Sequence, residues 1–169
     1  YLYLIRGYVC KHIMHVLYKV TYMLSMRVYF LFLAKCSVMI EVVAAIIKVE
    51  NKFLCCQRDE NKYKYISKKF EFPGGKVEKN ETNEEALIRE IKEELNLEIY
   101  INRFFTTINY SYPDFDIKMH CFLCSLREFN IKLNDHISFE LLDLESIQSL
   151  DWVPADLELI RLLKDENGI

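Results

Sequence analysis

Three glutamates lie close together near the end of a segment with helical periodicity, residues 83–95. At 100° per residue, Glu90, Glu93 and Glu94 share one arc of this helix. The arc adjoins a stripe of apolar residues that we expect to face the core, formed by Leu87, Ile88, Ile91 and Leu95. Glu90 and Glu94 repel each other one turn apart, and the helix dipole disfavours anions in the last turn. A site for a hard cation such as Mg²⁺ or Mn²⁺ would explain the cluster, and a solvated acidic face is the alternative.

Two adjacent glycines precede the helix in a chain that contains only four. Gly74 and Gly75 directly follow Pro73. Because glycine lacks a Cβ, it allows a tight turn and the close approach of backbone to a ligand. The pair therefore marks a special backbone site next to the acidic helix.

The glycines and the glutamates stand at one characteristic spacing. Residues 75–97 match the pattern G-x5-E-x7-R-E-U-x-E-E-x-G-U, where U is apolar, except that Asn96 replaces the last glycine. This pattern resembles the Nudix box, and the departure is mild because asparagine tolerates the same left-handed conformation. The segments at 53–58, 71–78 (EFPGGKVE) and 151–156 (DWVPAD) also resemble the MutT and CTP pyrophosphohydrolase branch of the Nudix family.

The resemblance implies an α/β fold, an α/β/α sandwich around a mixed β-sheet, and Mg²⁺ or Mn²⁺ as cofactor. It implies metal binding by the Gly74 carbonyl and by Glu90 and Glu94, with Glu93 as a third ligand or as the general base. Asp135, in a later loop, is the other candidate base.

The resemblance also assigns supporting and substrate-binding residues. Arg89 is expected to orient Glu93 or Glu85 by a charge-assisted bond, and Glu81 to tie the loop to the helix. The residues implied for the substrate are Arg58, Phe72 and Asp156 in the nucleoside pocket and Lys76 near phosphate. Asp156 is alternatively a stabilising charge at the start of the last helix.

The implied activity is cleavage of a (deoxy)nucleoside triphosphate to the monophosphate and pyrophosphate. An 8-oxo-dGTP diphosphatase that cleans the nucleotide pool, and so serves DNA repair, is the leading interpretation. The alternatives are a hydrolase of CTP or a modified pyrimidine triphosphate, a hydrolase of another nucleoside diphosphate derivative, and a nucleotide-binding module without catalysis. We expect a monomer or homodimer.

The elements that position these residues follow from the pattern beyond Met39. Strands are predicted at 39–50, 53–58, 70–72, 97–101, 103–112, 116–126 and 136–142, with a polar, lysine-rich loop at 59–69. The helix at 83–95 begins with a capping box of Thr82 and Glu85 and ends at Asn96. A last helix begins near Pro154, and we expect its residues Leu157, Leu159, Ile160 and Leu163 to face the core.

Charge divides the chain of 169 residues into two parts. Residues 1–38 hold five basic groups and no acid, whereas the rest holds 17 basic and 25 acidic residues, a net charge of −8. A domain this acidic argues against binding a nucleic-acid polymer. We interpret 1–38 as an extension of the domain at 39–169 or as sequence upstream of the native start, with a membrane-surface helix as the alternative.

The six cysteines do not form the paired spacings of a zinc site. Cys121 and Cys124 stand in a C-x-x-C spacing, but within an apolar strand-like run and without a second pair. We predict buried, reduced thiols, which suit the cytoplasm.

Overall fold

The computed structural model describes residues 39–168. The predictions for residues 1–38, including those for Cys10 and Cys36, lie outside the described residues. The described part of the chain contains two α-helices, six strands and a short 3₁₀ helix at Ile147–Ser149. Their bounds are β1 Met39–Val49, β2 Lys52–Arg58, β3 Phe70–Glu71, α1 Asn83–Leu95, β4 Ile99–Ser111, β5 Asp116–Leu126, β6 His136–Leu142 and α2 Pro154–Asn167.

The strands form one mixed sheet. β1 runs parallel to β5, and β5 pairs antiparallel with β4. β2 pairs antiparallel with β1, β3 and β6, which gives the order β3-β2-β1-β5-β4 with β6 attached to β2. The sheet brings the end of β2, the start of β6 and the segment after β3 close together.

Each face of the sheet carries one helix, because successive side chains of a strand point to opposite faces. Val43, Ala45 and Ile47 of β1 belong to the core under α1, and Ala44 and Ile46 belong to the core under α2. The buried apolar residues contributed by the helices are Ala86, Leu87, Ile91 and Leu95 on α1 and Ala155, Leu159, Ile160 and Leu163 on α2. The α/β/α sandwich is confirmed.

Two helix residues predicted to face the core do not. Ile88 is 49% exposed and Leu157 is 52% exposed. At 100° per residue, Leu157 lies about 120° from the centre of the buried stripe of α2. On α1 the buried stripe extends to Ala86, so its centre is turned away from Ile88.

One strand was predicted as two. Residues 97–101 and 103–112 are not separate strands, because β4 continues through Asn102 with register irregularities between Ile101 and Arg103 and between Phe104 and Thr106. A bulge absorbs an extra residue without ending the strand. Leu97 is buried but precedes β4.

The four described cysteines are free and buried, as predicted, namely Cys55, Cys56, Cys121 and Cys124. Burial raises the pKa of the Cys55 thiol to about 12, so it stays protonated at neutral pH. None of the helices within 39–168 is long and apolar enough to cross a membrane.

Candidate functional site

Both ends of α1 are fixed by local hydrogen bonds. The Glu85 N–H donates to Thr82 Oγ1 at 3.2 Å, and the Thr82 N–H donates to the Glu85 carboxylate at 2.8 Å. At the other end Asn96 takes a left-handed conformation, with φ of 54°, and its N–H donates to the Lys92 carbonyl. The Asn134 N–H and side-chain amide donate to the carbonyls of Glu94 and Glu93 at 2.8 and 2.5 Å. These contacts hold the acidic last turn of α1 in place.

The two glycines fit between β1 and α1. The Ala45 and Val43 N–H groups donate to the carbonyls of Pro73 and Gly75, both at 2.8 Å. A Cβ added at Gly74 would lie 2.1 Å from the Val43 carbonyl oxygen. A Cβ added at Gly75 would lie 2.3 Å from the carboxyl carbon of Glu90. Glycine is therefore required at Gly74, where the added atom would meet backbone and φ is 153°, whereas at Gly75 it would displace the carboxylate of Glu90. The carbonyls on either side of Gly74, those of Pro73 and Gly75, accept hydrogen bonds from β1.

Arg89 joins three glutamates. Its guanidinium donates to both oxygens of Glu81, at 2.7 and 3.1 Å, and to Glu93 at 3.1 Å. Its Nη1 also lies 3.0 Å from Glu90 Oε1. Of the two partners predicted for Arg89, Glu93 is correct, whereas Glu85 is wrong because its carboxylate is held by the capping box. Glu81 ties the loop to the helix, as predicted.

Glu90 and Glu94 line a cavity of about 790 Å³. The pKa of Glu94 is raised to about 7, with burial as the largest cause. The positive charge of His136 opposes this rise, and the negative charges of Glu71, Glu90 and Asp135 add to it. Glu94 Oε2 is buried and has no hydrogen-bond partner among residues 39–168. An unpaired buried carboxylate oxygen is costly, so this atom fits a cation ligand.

A chain of charged side chains connects Glu94 with the end of β2. His136 Nε2 lies 3.0 Å from Glu71 Oε1, and Arg58 forms a short ion pair with the other oxygen of Glu71. His136 Nδ1 lies 4.0 Å from Glu94 Oε2. Burial alone would lower the pKa of His136, but the hydrogen bond and charge of Glu71 and the charge of Glu94 raise it.

Sequence reasoning missed Glu71 and His136 as members of the site. Glu71 precedes Phe72 within the EFPGGK segment, and His136 follows the candidate base Asp135. A histidine next to the candidate base Asp135 was a signal visible in the sequence, but only the sheet shows that β2, β3 and β6 meet there.

The cavity collects seven of the ten predicted site residues. The seven are Arg58, Phe72, Gly74, Lys76, Glu90, Glu94 and Asp156. Arg89, Glu93 and Asp135 are not among its lining residues. The side chain of Glu93 is 61% exposed beside Arg89, and Asp135 is exposed directly before β6.

Asp156 lies in the same cavity and is 2% exposed. The Phe72 N–H donates to its Oδ2 at 3.2 Å, whereas its Oδ1 is buried without a partner among the described residues. Burial raises the pKa of Asp156 well above its ordinary range. No side chain caps α2, so a role only at the helix start leaves the bond to Phe72 and the unpaired oxygen unexplained.

Trp152 and His120 have structural roles. Trp152 is 2% exposed, packs on the Phe72 ring at 5.1 Å between centroids and donates to the Ile147 carbonyl at 2.7 Å. His120 Nδ1 lies 3.1 Å from Thr107 Oγ1 on the neighbouring strand.

A divalent metal fits the residues around Glu94. Within 39–168 no three His, Cys, Asp or Glu side chains are already arranged around one metal position. Two carboxylates and the Gly74 carbonyl nevertheless provide hard oxygen ligands, and Mg²⁺ usually keeps several waters rather than taking a full protein cage.

Known proteins are similar to this chain in sequence. The profile of the NUDIX domain matches residues 39–163. The CTP pyrophosphohydrolase of Escherichia coli K12 is 30% identical over 122 residues, covering 72% of this chain and 89% of its own length. The 8-oxo-dGTP diphosphatase of the same organism is 29% identical over 125 residues, covering 74% and 96%.

Solved structures of Nudix proteins are similar to this chain in fold. The MutT protein from Methanosarcina mazei Go1 superposes with a TM-score of 0.69 at 25% identity, covering 78% of this chain and 97% of its own. The MutT protein of methicillin-resistant Staphylococcus aureus 252 gives 0.61 at 36% identity, covering 77% and 98%. With the helix, the glycine pair and the carboxylates placed as described, this chain belongs to the NUDIX family and is a Nudix hydrolase.

Proposed function

We propose that this Nudix hydrolase is a divalent-metal-dependent nucleoside triphosphate pyrophosphohydrolase that releases a nucleoside monophosphate and pyrophosphate. One observation carries the proposal: a single cavity contains the carboxylates Glu90 and Glu94 together with the buried Asp156 and the Phe72 backbone that binds it. Such a cavity offers hard ligands for a cation and a polar group for a base edge. The relatives named for CTP and 8-oxo-dGTP support the same reaction class.

Glu90, Glu94 and the Gly74 carbonyl are the proposed ligands of Mg²⁺ or Mn²⁺. A metal held by these residues would supply positive charge to offset the negative charge of the phosphates and would make water more acidic. Glu93 is retained as a third ligand or as the general base, and Asp135 as the other candidate base. Arg89 contacts Glu90 and Glu93, so it holds both carboxylates in position for either role.

The phosphates need cations from the protein, because the domain itself is acidic. Arg58 and Lys76 line the cavity. Arg58 is held by Glu71, whereas Lys76 follows the glycine pair directly. We infer that Lys76 contacts phosphate and that Arg58 lies beside the nucleoside.

Asp156 is the proposed recognition group for the base. With its raised pKa, its free oxygen carries a proton and donates to a base acceptor, while Oδ2 remains occupied by the Phe72 N–H. Water attacks phosphorus and splits the phosphoanhydride, so the base that Asp156 binds is not changed by the reaction.

We infer that 8-oxo-dGTP is the substrate, so that the enzyme removes an oxidised nucleotide before it enters DNA. The 8-oxo-dGTP diphosphatase of E. coli supports this choice, and buried thiols favour a reducing compartment such as the cytoplasm. CTP is the second candidate because the CTP pyrophosphohydrolase of E. coli is 30% identical to this chain.

A panel of nucleotides tests the choice. The specificity constant kcat/KM is measured for 8-oxo-dGTP, dGTP, CTP, a 5-methylated dCTP and ADP-ribose, with pyrophosphate and monophosphate detection. We expect 8-oxo-dGTP to exceed dGTP by at least about tenfold. Equal values for these two would reject the sanitising role, and a higher value for CTP would establish the second candidate. Hydrolysis of ADP-ribose alone would reject the triphosphate proposal.

A further inference from the structure

Five aromatic residues cluster where the loop at 59–69 meets the turn between β4 and β5. Tyr63 stacks on Tyr65 at 5.4 Å between ring centroids, and Tyr65 stacks on Tyr112 at 5.2 Å. Phe115 contacts Tyr63 at 5.4 Å and Tyr112 at 5.0 Å. Tyr110 adds a contact to Tyr112 at 4.7 Å. The cluster links two loops that are distant in sequence.

Hydrogen bonds hold this cluster in one arrangement. Tyr65 donates its hydroxyl to Asp114 Oδ2 at 2.8 Å, which fastens the first loop to the second. Within the first loop, the Ile66 and Ser67 N–H groups both donate to the Tyr63 carbonyl at 3.1 Å. The rings are therefore positioned before any ligand arrives, which lowers the entropic cost of binding.

Three of these rings face the cavity, namely Tyr63, Tyr112 and Phe115, which we call the aromatic wall. The Ala155 N–H donates to the Tyr112 hydroxyl at 3.4 Å, so the wall adjoins the residue just before Asp156. Tyr63 and Phe115 are only half-buried, so they leave apolar ring surface open to the cavity. The unpaired Oδ1 of Asp156 is a second, independent sign that a polar ligand binds at this place.

The chemistry of the wall selects the kind of group that binds there. Aromatic faces carry a negative quadrupole and are unfavourable neighbours for phosphate oxygens. They are favourable neighbours for a planar base, because every nucleobase has a π-face that can stack on an aromatic side chain. Lys62 Nζ lies 4.6 Å from the Tyr63 ring centroid, and Lys62 is exposed, so a base that stacks on Tyr63 would displace a solvated side chain.

We propose that the aromatic wall packs against the nucleobase while Asp156 binds the edge of that base, and that Tyr63 is a specificity-determining residue. This inference rests on the proposed function, because it needs a nucleoside ligand in the cavity. It adds that the loop at 59–69 supplies part of the base pocket. Removal of Tyr63 should therefore weaken nucleoside binding without changing phosphate binding.

Product binding tests the wall without requiring catalysis. Calorimetry measures the Kd of 8-oxo-dGMP, dGMP and CMP, and the Kd of inorganic pyrophosphate, for the wild type, Tyr63→Ala and Tyr63→Phe. We expect Tyr63→Ala to weaken monophosphate binding by about five- to hundredfold, and more for the purines than for CMP. Its pyrophosphate Kd should stay within about twofold, and Tyr63→Phe should bind like the wild type.

Three further variants separate the effect of the Tyr63 ring from other causes. Tyr100→Ala removes a ring that is 57% exposed on β4 and lines no part of the cavity, so it should change none of these constants. Tyr65→Phe keeps the ring and removes only the bond to Asp114, so it should weaken monophosphate binding less than Tyr63→Ala does. Tyr63→Leu replaces Tyr63→Ala if circular dichroism shows that the alanine variant is unfolded.

An unchanged monophosphate Kd in folded Tyr63→Ala or Tyr63→Leu would overturn the inference. So would an equal loss of monophosphate and pyrophosphate affinity, which would indicate a general distortion. Failure of the proposed function appears differently, as a wild type that hydrolyses no nucleoside triphosphate in the panel.

Discussion

Two carboxyl groups in the cavity, those of Glu94 and Asp156, are each buried with one oxygen unpaired among the described residues. Their surroundings suit different ligands. Glu94 lies among the charges of Glu71, Glu90 and His136, whereas Asp156 binds a backbone N–H beside aromatic rings. The first environment suits a cation and the second a neutral base edge. Burial of both groups lowers the stability of the folded protein, and it gives one cavity two different recognition sites.

The pH dependence of stability tests the state of Asp156. Because its pKa is raised in the folded protein, the folded state binds the proton more tightly than the unfolded state does. The contribution of this tighter proton binding to the free energy of unfolding is complete below a pH of about 4. It is lost as pH rises through the raised pKa of Asp156. Asp156→Asn keeps an acceptor for the Phe72 N–H and removes the titration.

Urea denaturation from pH 4.5 to 8 checks this prediction. The free energy of unfolding of Asp156→Asn, minus that of the wild type, should increase with pH over this range. A difference that stays constant would show that Asp156 is ionised in the folded protein throughout.

At the scale of elements, α1 positions the candidate metal ligands because both of its ends are specified locally. Thr82 and Glu85 set its start, and Asn96 sets its end in the left-handed conformation. Such signals depend on neighbours in sequence, which is why the bounds of α1 were predictable. The exposed Ile88 and the continuous β4 were not, because they depend on how the helix lies on the sheet and on a bulge.

Substitution of Asn96 tests the helix end. Asn96 is exposed, with φ of 54°, so Asn96→Gly should keep or raise the free energy of unfolding. Asn96→Ala should lower it by about 1 kcal/mol, because alanine pays the full cost of the left-handed conformation. Urea denaturation of the wild type and the two variants measures the order of their free energies of unfolding. If the alanine variant is as stable as the glycine variant, the backbone conformation at Asn96 is not what ends the helix.

The same contrast applies to the site. The residues of the Nudix box could be predicted because they lie close together in sequence, on one loop and the helix that follows it. The network of Arg58, Glu71 and His136 could not, since it forms only where three strands meet. The aromatic wall joins residues 59–69 to the β4–β5 turn, and each of these segments is an ordinary loop in sequence.

At the scale of the whole molecule, every residue placed in the site lies between Arg58 and Asp156, inside the range 39–163 that matches the NUDIX domain. We therefore expect the chain shortened to begin at Met39 to fold and to keep kcat/KM within about twofold. Circular dichroism and the triphosphate assay test this. Loss of activity in a folded shortened chain would show that residues 1–38 contribute to the site.

The identity of the products tests whether this chain is a metal-dependent nucleoside triphosphate pyrophosphohydrolase. The wild type is incubated with 8-oxo-dGTP and with CTP, with and without Mg²⁺, and all phosphorus-containing products are resolved over time. Glu94→Gln is measured beside Glu84→Gln, a matched control because Glu84 is an exposed residue in the first turn of the same helix.

We expect equal amounts of monophosphate and pyrophosphate, formed only with the divalent metal. We also expect Glu94→Gln to lower kcat by at least about a hundredfold, because the buried ligand loses its charge, while Glu84→Gln leaves kcat unchanged. Formation of diphosphate and inorganic phosphate, or an unchanged rate in Glu94→Gln, would contradict the proposed function.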